Sequence, residues 1–269
     1  MPRELKKGIW YAAAPGNTAL DKFKAAKAAG FEGIEPPSHL DQDEVLRARD
    51  ETGLAIPSVS CGKHSRGLSH ADTAKRAEAV AGVRQALRDA KRYGASSILV
   101  VPGVVNETIT YAAAWQRTRE ELRKTLPLAE ELGVKLAFEN VWNHFLLSPL
   151  EAARFVDDFH SPAVGWQFDV GNAIYLGWPE QWIRILGPRI QKLHIKEFSR
   201  KKMGEKGPHA GFAVEFLEGD NDWPAVMQAV DDIGYRGWAI AEPAWQPEGV
   251  DPAARLRQIA GKMDQILAR

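Results

Sequence analysis

Four residues at the ends of short apolar runs carry the side chains that a divalent metal ion requires. Glu139 follows KLAF, Asp169 follows GWQF, His194 lies in QKLHIKEF and Glu242 follows WAIA. An acid that closes an apolar strand is partly desolvated, and leaving it unpaired costs on the order of several kcal/mol. Any one of these acids alone reads as a cap or a strand-end polar residue; four such groups at equivalent strand ends read as a ligand set. Three carboxylates and an imidazole without a thiolate suit a hard or borderline cation, Mn²⁺ first, then Mg²⁺, Co²⁺ or Zn²⁺. An ion so held can bind adjacent sugar oxygens and polarise a carbonyl while carboxylates beside the sugar move a proton, which is isomerase or epimerase chemistry.

Positioning these groups requires parallel strands whose carboxyl ends meet. Apolar or β-branched runs near 7–12, 31–35, 54–60, 96–101, 134–139, 164–169, 191–198 and 237–242 alternate with segments of helical period, marked best at 18–29, 71–93, 111–132 and 251–267. Glycine stands just past several of the helices, in AAGFEGIE, RYGASSILVV, ELGVKLAFE and DIGYRGWAIAE, where a left-handed residue stops a helix. Eight strand–helix units in 269 residues predict an α/β fold, a single (β/α)8 TIM barrel domain spanning 1–269. An open doubly wound sheet is the runner-up, but YAAAPGN after the first strand does not match GxGxxG.

Other polar and aromatic residues fall near the same rim. Lys196 shares the inward face of His194 by period two, where it could stabilise developing charge or pair with a ligand acid. Trp10 and Trp142 sit where a sugar's C–H face could cover an indole, and Trp245 lies close by. Glu35 ends GIEPP and His64 follows strand three beside Lys63; both are candidates to meet a substrate hydroxyl. The basic run Arg200, Lys201, Lys202, Lys206 and His209 lies in a long segment at 199–222 and reads chiefly as solvated surface, so phosphorylation of the substrate stays open.

Composition narrows the partners. With 35 Lys+Arg against 35 Asp+Glu the formal net charge is zero, which argues against nucleic acid. Cys61 is the only cysteine, so an intrachain disulfide and a thiolate zinc cluster are excluded. No segment approaches the roughly 20 apolar residues of a membrane span, and a cytoplasmic protein is expected. The expected partner is a small-molecule sugar or sugar phosphate, with homo-oligomerisation left open.

The runs AFENVWNHFLLSP, GWQFDVGNA, KLHIKEF and GWAIAEP resemble the strand ends of the sugar phosphate isomerase/epimerase superfamily, the xylose isomerase-like TIM barrels. That resemblance spans about the whole chain and implies Glu139, Asp169, His194 and Glu242 as ligands of one divalent ion. By similarity to the superfamily's ketose 3-epimerases, Glu139 and Glu242 would also be the acid/base pair and residue 172 a substrate contact, histidine in those enzymes and Asn172 here. The superfamily's apurinic-site endonucleases carry histidines where this chain has Val101 and Asn172, which argues against a phosphodiesterase site. The implied activity is a metal-dependent sugar isomerase or 3-epimerase. The alternatives are a metal-dependent lyase or deglycosidase acting on a keto-sugar, and a sugar-binding barrel without catalysis.

Overall fold

The computed structural model describes residues 4–175 and 177–269. Eight parallel strands follow one another in the order β1 Leu5–Trp10, β2 Gly33–Glu35, β3 Ser58–Ser60, β4 Ser97–Val100, β5 Lys135–Glu139, β6 Val164–Asp169, β7 Ile190–Ile195 and β8 Gly237–Ala241. β1 pairs with β2 and with β8, and β3 to β8 pair in sequence order, so the sheet curls into a nearly closed (β/α)8 barrel. The seam between β2 and β3 consists of single bridges, Gly33 to Ala55 and Pro37 to Ser60. Prolines explain this weak seam: Pro36 and Pro57 lack the N–H that a continuous ladder needs between the Ile34–Ala55 and Ser38–Ser60 bonds. For the same reason β3 begins at Ser58 rather than near residue 54.

Twelve helices can be followed among the described residues: α1 Ala19–Ala28, α2 Gln42–Thr52, α3 Gly62–Ser65, α4 Thr73–Tyr93, α5 Tyr111–Arg123, α6 Leu126–Leu132, α7 Pro149–Asp157, α8 Val170–Ile174, α9 Pro179–Leu186, α10 Arg200–Lys206, α11 Trp223–Asp232 and α12 Pro252–Leu267. Side-chain caps start many of them, including Thr18 with Asp21 in a capping box and Asp72 on α4. The single helix expected at 111–132 is two, α5 and α6. Pro127 lies in the first turn of α6, and in a continuous helix its ring would meet the carbonyl four residues earlier. The segment at 199–222, expected to be a loop, contains α10 and a 3₁₀ turn at Pro208–Phe212.

The core lies between strands and helices and is rich in aromatic rings. Phe138 on β5 and Trp166 on β6 pack edge to face, and Phe155 of α7 covers Phe138 at 5.4 Å. Inside the barrel, Trp238 of β8 crosses towards β2, where a Cβ on Gly33 would lie 2.6 Å from its ring. Glycine is therefore required there for close approach.

The glycines expected to stop helices do so: Gly30, Gly94, Gly133 and Gly234 all have positive φ, between 65° and 90°. At Gly94 a Cβ would meet nothing within 4 Å, so a substitution acts through the backbone alone. Gly94→Ala should cost about 1–2 kcal/mol and Gly94→Asn distinctly less, read as the order of midpoints in urea unfolding.

Candidate metal and sugar site

The ladder register brings the acidic strand ends together. Asp169 pairs with His194 across β6 and β7, Ile195 pairs with Ala241, and the Glu242 N–H donates to the Ile195 carbonyl at 2.9 Å. One ligand atom from each of Glu139, Asp169, His194 and Glu242 lies within 4.8 Å of the others. Glu139, Asp169 and His194 are buried, whereas 19% of the Glu242 side chain stays exposed.

His194 is held from two sides. Its Nδ1 faces the cluster, 2.9 Å from Glu139 Oε1 and 2.8 Å from Glu242 Oε2. Its Nε2 faces away, 2.8 Å from Glu35 Oε2. Glu35 is itself fixed, accepting from Gln167 Nε2 at 2.9 Å and from the Ser58 hydroxyl. A carboxylate behind a histidine in this way orients the ring and sets its tautomer. Lys196 lies across the cluster, with Nζ 2.8 Å from Asp169 Oδ2 and 3.1 Å from Glu242 Oε1.

The environment separates the acids. Burial pushes the Glu139 carboxyl up to about 7, although His194 pulls the other way. Burial also acts to raise Glu242, but the Lys196 ammonium and His194 overcome it and hold that carboxyl down at about 2. Asp169 is raised, because burial outweighs Lys196. Burial disfavours the charged form of His194, yet Glu35 and Glu242 raise it well above the ordinary imidazole range.

The donor set fits a divalent cation. Asp169 Oδ2 and Glu242 Oε2 are buried without a hydrogen bond. Asp169 Oδ2 lies 2.8 Å from Lys196 Nζ and Glu242 Oε2 lies 2.8 Å from His194 Nδ1, yet neither oxygen makes a hydrogen bond. The three carboxylates and inward Nδ1 offer four O/N donors, and the second nitrogen of His194 is already satisfied.

A cavity of about 310 Å³ opens over the cluster, walled by Trp10, Ser60, Arg66 and Val101 above Glu139 and Glu242. A larger cavity of about 520 Å³ lies at the amino ends of β5, β6 and β7 around Lys135, Val164 and Gln191. It contains none of the four clustered side chains, and barrel active sites form at the carboxyl ends, so its size alone does not mark the site.

The structure sorts the remaining sequence candidates. Trp10 reaches the cavity above the cluster. Glu35, expected to meet substrate, is instead fully buried beneath His194. His64 does not line this cavity; it stacks on His39 in the neighbouring one. The Trp142 ring packs between Tyr175 and Phe212, with centroids 4.5 and 4.8 Å away, and its Nε1 donates to the Asn172 carbonyl at 3.2 Å. Asn172 in turn donates from Nδ2 to the Asn140 carbonyl at 2.9 Å. Both therefore tie loops together rather than line the cavity. In the basic run, Arg200 is spent on the Ile174 and Gly177 carbonyls, and Lys202 on the Ala213 carbonyl and the Trp245 ring.

Two positioning residues escaped the sequence reading. Asn140 Oδ1 accepts from the Asp169 N–H at 2.9 Å and from Trp166 Nε1 at 3.2 Å, while its Nδ2 donates to the Asp169 carbonyl at 2.7 Å. This clamps the β5 end to the β6 end. Gln167 supports Glu35 from within the barrel. Asn140 directly follows Glu139 in the sequence, and Gln167 shares the inward parity of Asp169; those were the available signals.

Comparison with known proteins agrees with the geometry. The family model described as xylose isomerase-like TIM barrel matches residues 23–265. L-ribulose-5-phosphate 3-epimerase UlaE of Escherichia coli is 25% identical over 285 residues, covering 100% of this chain and 96% of that one. Among solved structures, 3-keto-D-glucoside 4-epimerase YcjR of E. coli superposes with a TM-score of 0.82 at 18% identity, over 97% of this chain and 98% of that chain. D-psicose 3-epimerase from Clostridium cellulolyticum H10 gives 0.81 at 19% identity, over 97% and 98%. IolI, solved with a zinc atom, gives 0.77 at 17%, over 98% of each chain. With the family model matched over nearly its whole length, the chain belongs to the xylose isomerase-like TIM barrel family.

Proposed function

We propose that this protein is a divalent-metal-dependent sugar isomerase or 3-epimerase that moves a proton on the carbon beside a carbonyl. The observation that carries this reading is the convergence of Glu139, Asp169, His194 Nδ1 and Glu242 within 4.8 Å under an open cavity. The 3-epimerase activity named for its E. coli relative and the zinc reported in IolI support it.

A divalent ion held by these four residues would polarise the sugar carbonyl and stabilise the negative charge that develops when the neighbouring proton leaves. Mn²⁺ is the ion we assign first, because carboxylates dominate the set. Glu139 on β5 and Glu242 after β8 stand on strands separated by two others, so they meet a bound sugar from different sides. Without the ion the two are shifted in opposite directions, Glu242 ionised and Glu139 holding a proton near neutrality that it gives up on taking the ion, so their environments differ as an acid/base pair requires. One removes the proton and the other returns it, and an enediolate forms between the two transfers. Lys196 keeps a positive charge against Asp169 and Glu242 and adds to the field that favours the enediolate. Glu35 is a positioning residue that keeps Nδ1 of His194 directed at the ion.

Three outcomes are expected. Glu139→Gln and Glu242→Gln should each lower kcat by roughly 10²–10⁴-fold and abolish deuterium uptake from heavy water on the carbon beside the carbonyl. Undiminished turnover in Glu242→Gln would exclude the mechanism. Metal binding must displace the proton from Glu139, whose folded pKa is raised to about 7, and the one that Glu35 and Glu242 favour on His194. Affinity for Mn²⁺ measured by calorimetry should therefore weaken as pH falls below that value, by about tenfold or more per unit; an affinity flat between pH 5 and 8 contradicts this. Finally, Glu35→Gln should weaken Mn²⁺ binding by about 10–100-fold while the folded barrel, followed by circular dichroism, persists.

A further inference from the structure

A second cavity, of about 510 Å³, adjoins the one above the metal ligands, and Trp10, Ser60 and Lys63 belong to the walls of both. Its remaining lining is largely aromatic and apolar, with Tyr11, Pro37 and Leu40 facing the imidazoles of His39 and His64. Lys22 covers the Tyr11 ring from 5.1 Å, and its ammonium is anchored on the Ala14 carbonyl, so the tyrosine is held in place.

The imidazole wall is built at a cost. His39 has φ of 67°, a left-handed conformation that costs a non-glycine residue free energy and persists only when its surroundings enforce it. Asp89 of α4, fully buried, enforces it by accepting the His39 N–H at 2.9 Å, and Gln42 and Gln85 hold Asp89 in turn. The His39 ring then stacks on His64 at 3.8 Å and 22°. His64 is seated against α4 at Gly82, where a Cβ would lie 2.7 Å from the His64 Cβ. Neither the strained backbone nor the close approach to Gly82 serves the metal ligands, which lie in the other cavity.

Flat rings with apolar faces suit the C–H face of a pyranose or furanose, and Trp10, Ser60 and Lys63 line both cavities, which therefore lie side by side. We propose that the second cavity is a subsite for a second sugar ring, so that the preferred substrate is a ketose carrying a glycosidically linked sugar. This rests on the reading of the first cavity as the reacting site. The ketose ring would lie over Glu139 and Glu242, and the linked ring would pass Trp10 to lie among Tyr11, His39 and His64.

Calorimetry on the Mn²⁺-loaded protein with D-fructose, D-fructose 6-phosphate and the ketodisaccharides turanose, lactulose and isomaltulose tests this, with deuterium uptake followed in parallel. At least one disaccharide should bind ten times or more tighter than D-fructose. That ratio should fall towards one in Gly82→Ala, which displaces His64 without removing it, and in His39→Gly, which relieves the backbone strain. The proposal is overturned if no disaccharide binds more tightly than D-fructose, if neither variant changes the ratio, or if D-fructose 6-phosphate binds tightest. Tight disaccharide binding that both variants weaken, without deuterium uptake into any sugar, upholds the second-ring subsite and overturns the epimerase reading instead.

Discussion

Compensation of buried charge is the constraint on which the architecture depends. Glu35, Glu139 and Asp169 sit in the barrel interior with little or no access to water, and Glu242 joins them at the mouth. Lys196 and His194 offset part of this charge, and the buried Lys192, within Coulombic reach of Glu35, offsets more. Burying ions is unfavourable unless partners and hydrogen bonds are well placed, and two carboxylate oxygens still lack hydrogen bonds. The barrel thus spends stability to hold an electrostatic demand that a divalent cation would meet.

The rest of the fold keeps that arrangement rigid. Asn140 locks the β5 end to the β6 end, and the β6–β7 ladder sets Asp169 beside His194 after a register shift between Trp166 and Gln167. Behind the ring, Ser58, Gln167 and Glu35 form a chain running from β3 to β7 across the barrel interior. Farther out, Glu197 receives Trp223 Nε1, Asn221 Nδ2 and the Leu217 N–H, which ties the long segment after β7 down beside the mouth. Chemistry at strand ends gains its precision from these supports, because the ladder alone leaves side-chain rotamers free.

Much of this was legible in the sequence because it follows from period and position. Alternation along a strand places His194 and Lys196 on one side, and glycine after a helix marks where several strands approach, so the barrel and its four converging side chains could be read locally. The role of Glu35 could not: its partner His194 lies 159 residues away, and only closure of the barrel brings β2 opposite β7. The partners of Trp142 and Asn172 were hidden for a related reason. Their place near strand ends is correct, but side-chain direction is decided by tertiary neighbours, here Tyr175, Phe212 and Asn140. The break between α5 and α6 was signalled by Pro127 and masked by a helical period that continues through it.

The central claim is that the four converging side chains form one metal centre, and anomalous diffraction at the manganese edge from crystals grown with Mn²⁺ tests it most directly. One peak should appear about 2.0–2.3 Å from oxygens of Glu139, Asp169 and Glu242 and from Nδ1 of His194. Absence of a peak there at saturating Mn²⁺, or a histidine turned so that Nε2 is the ligand, would contradict it.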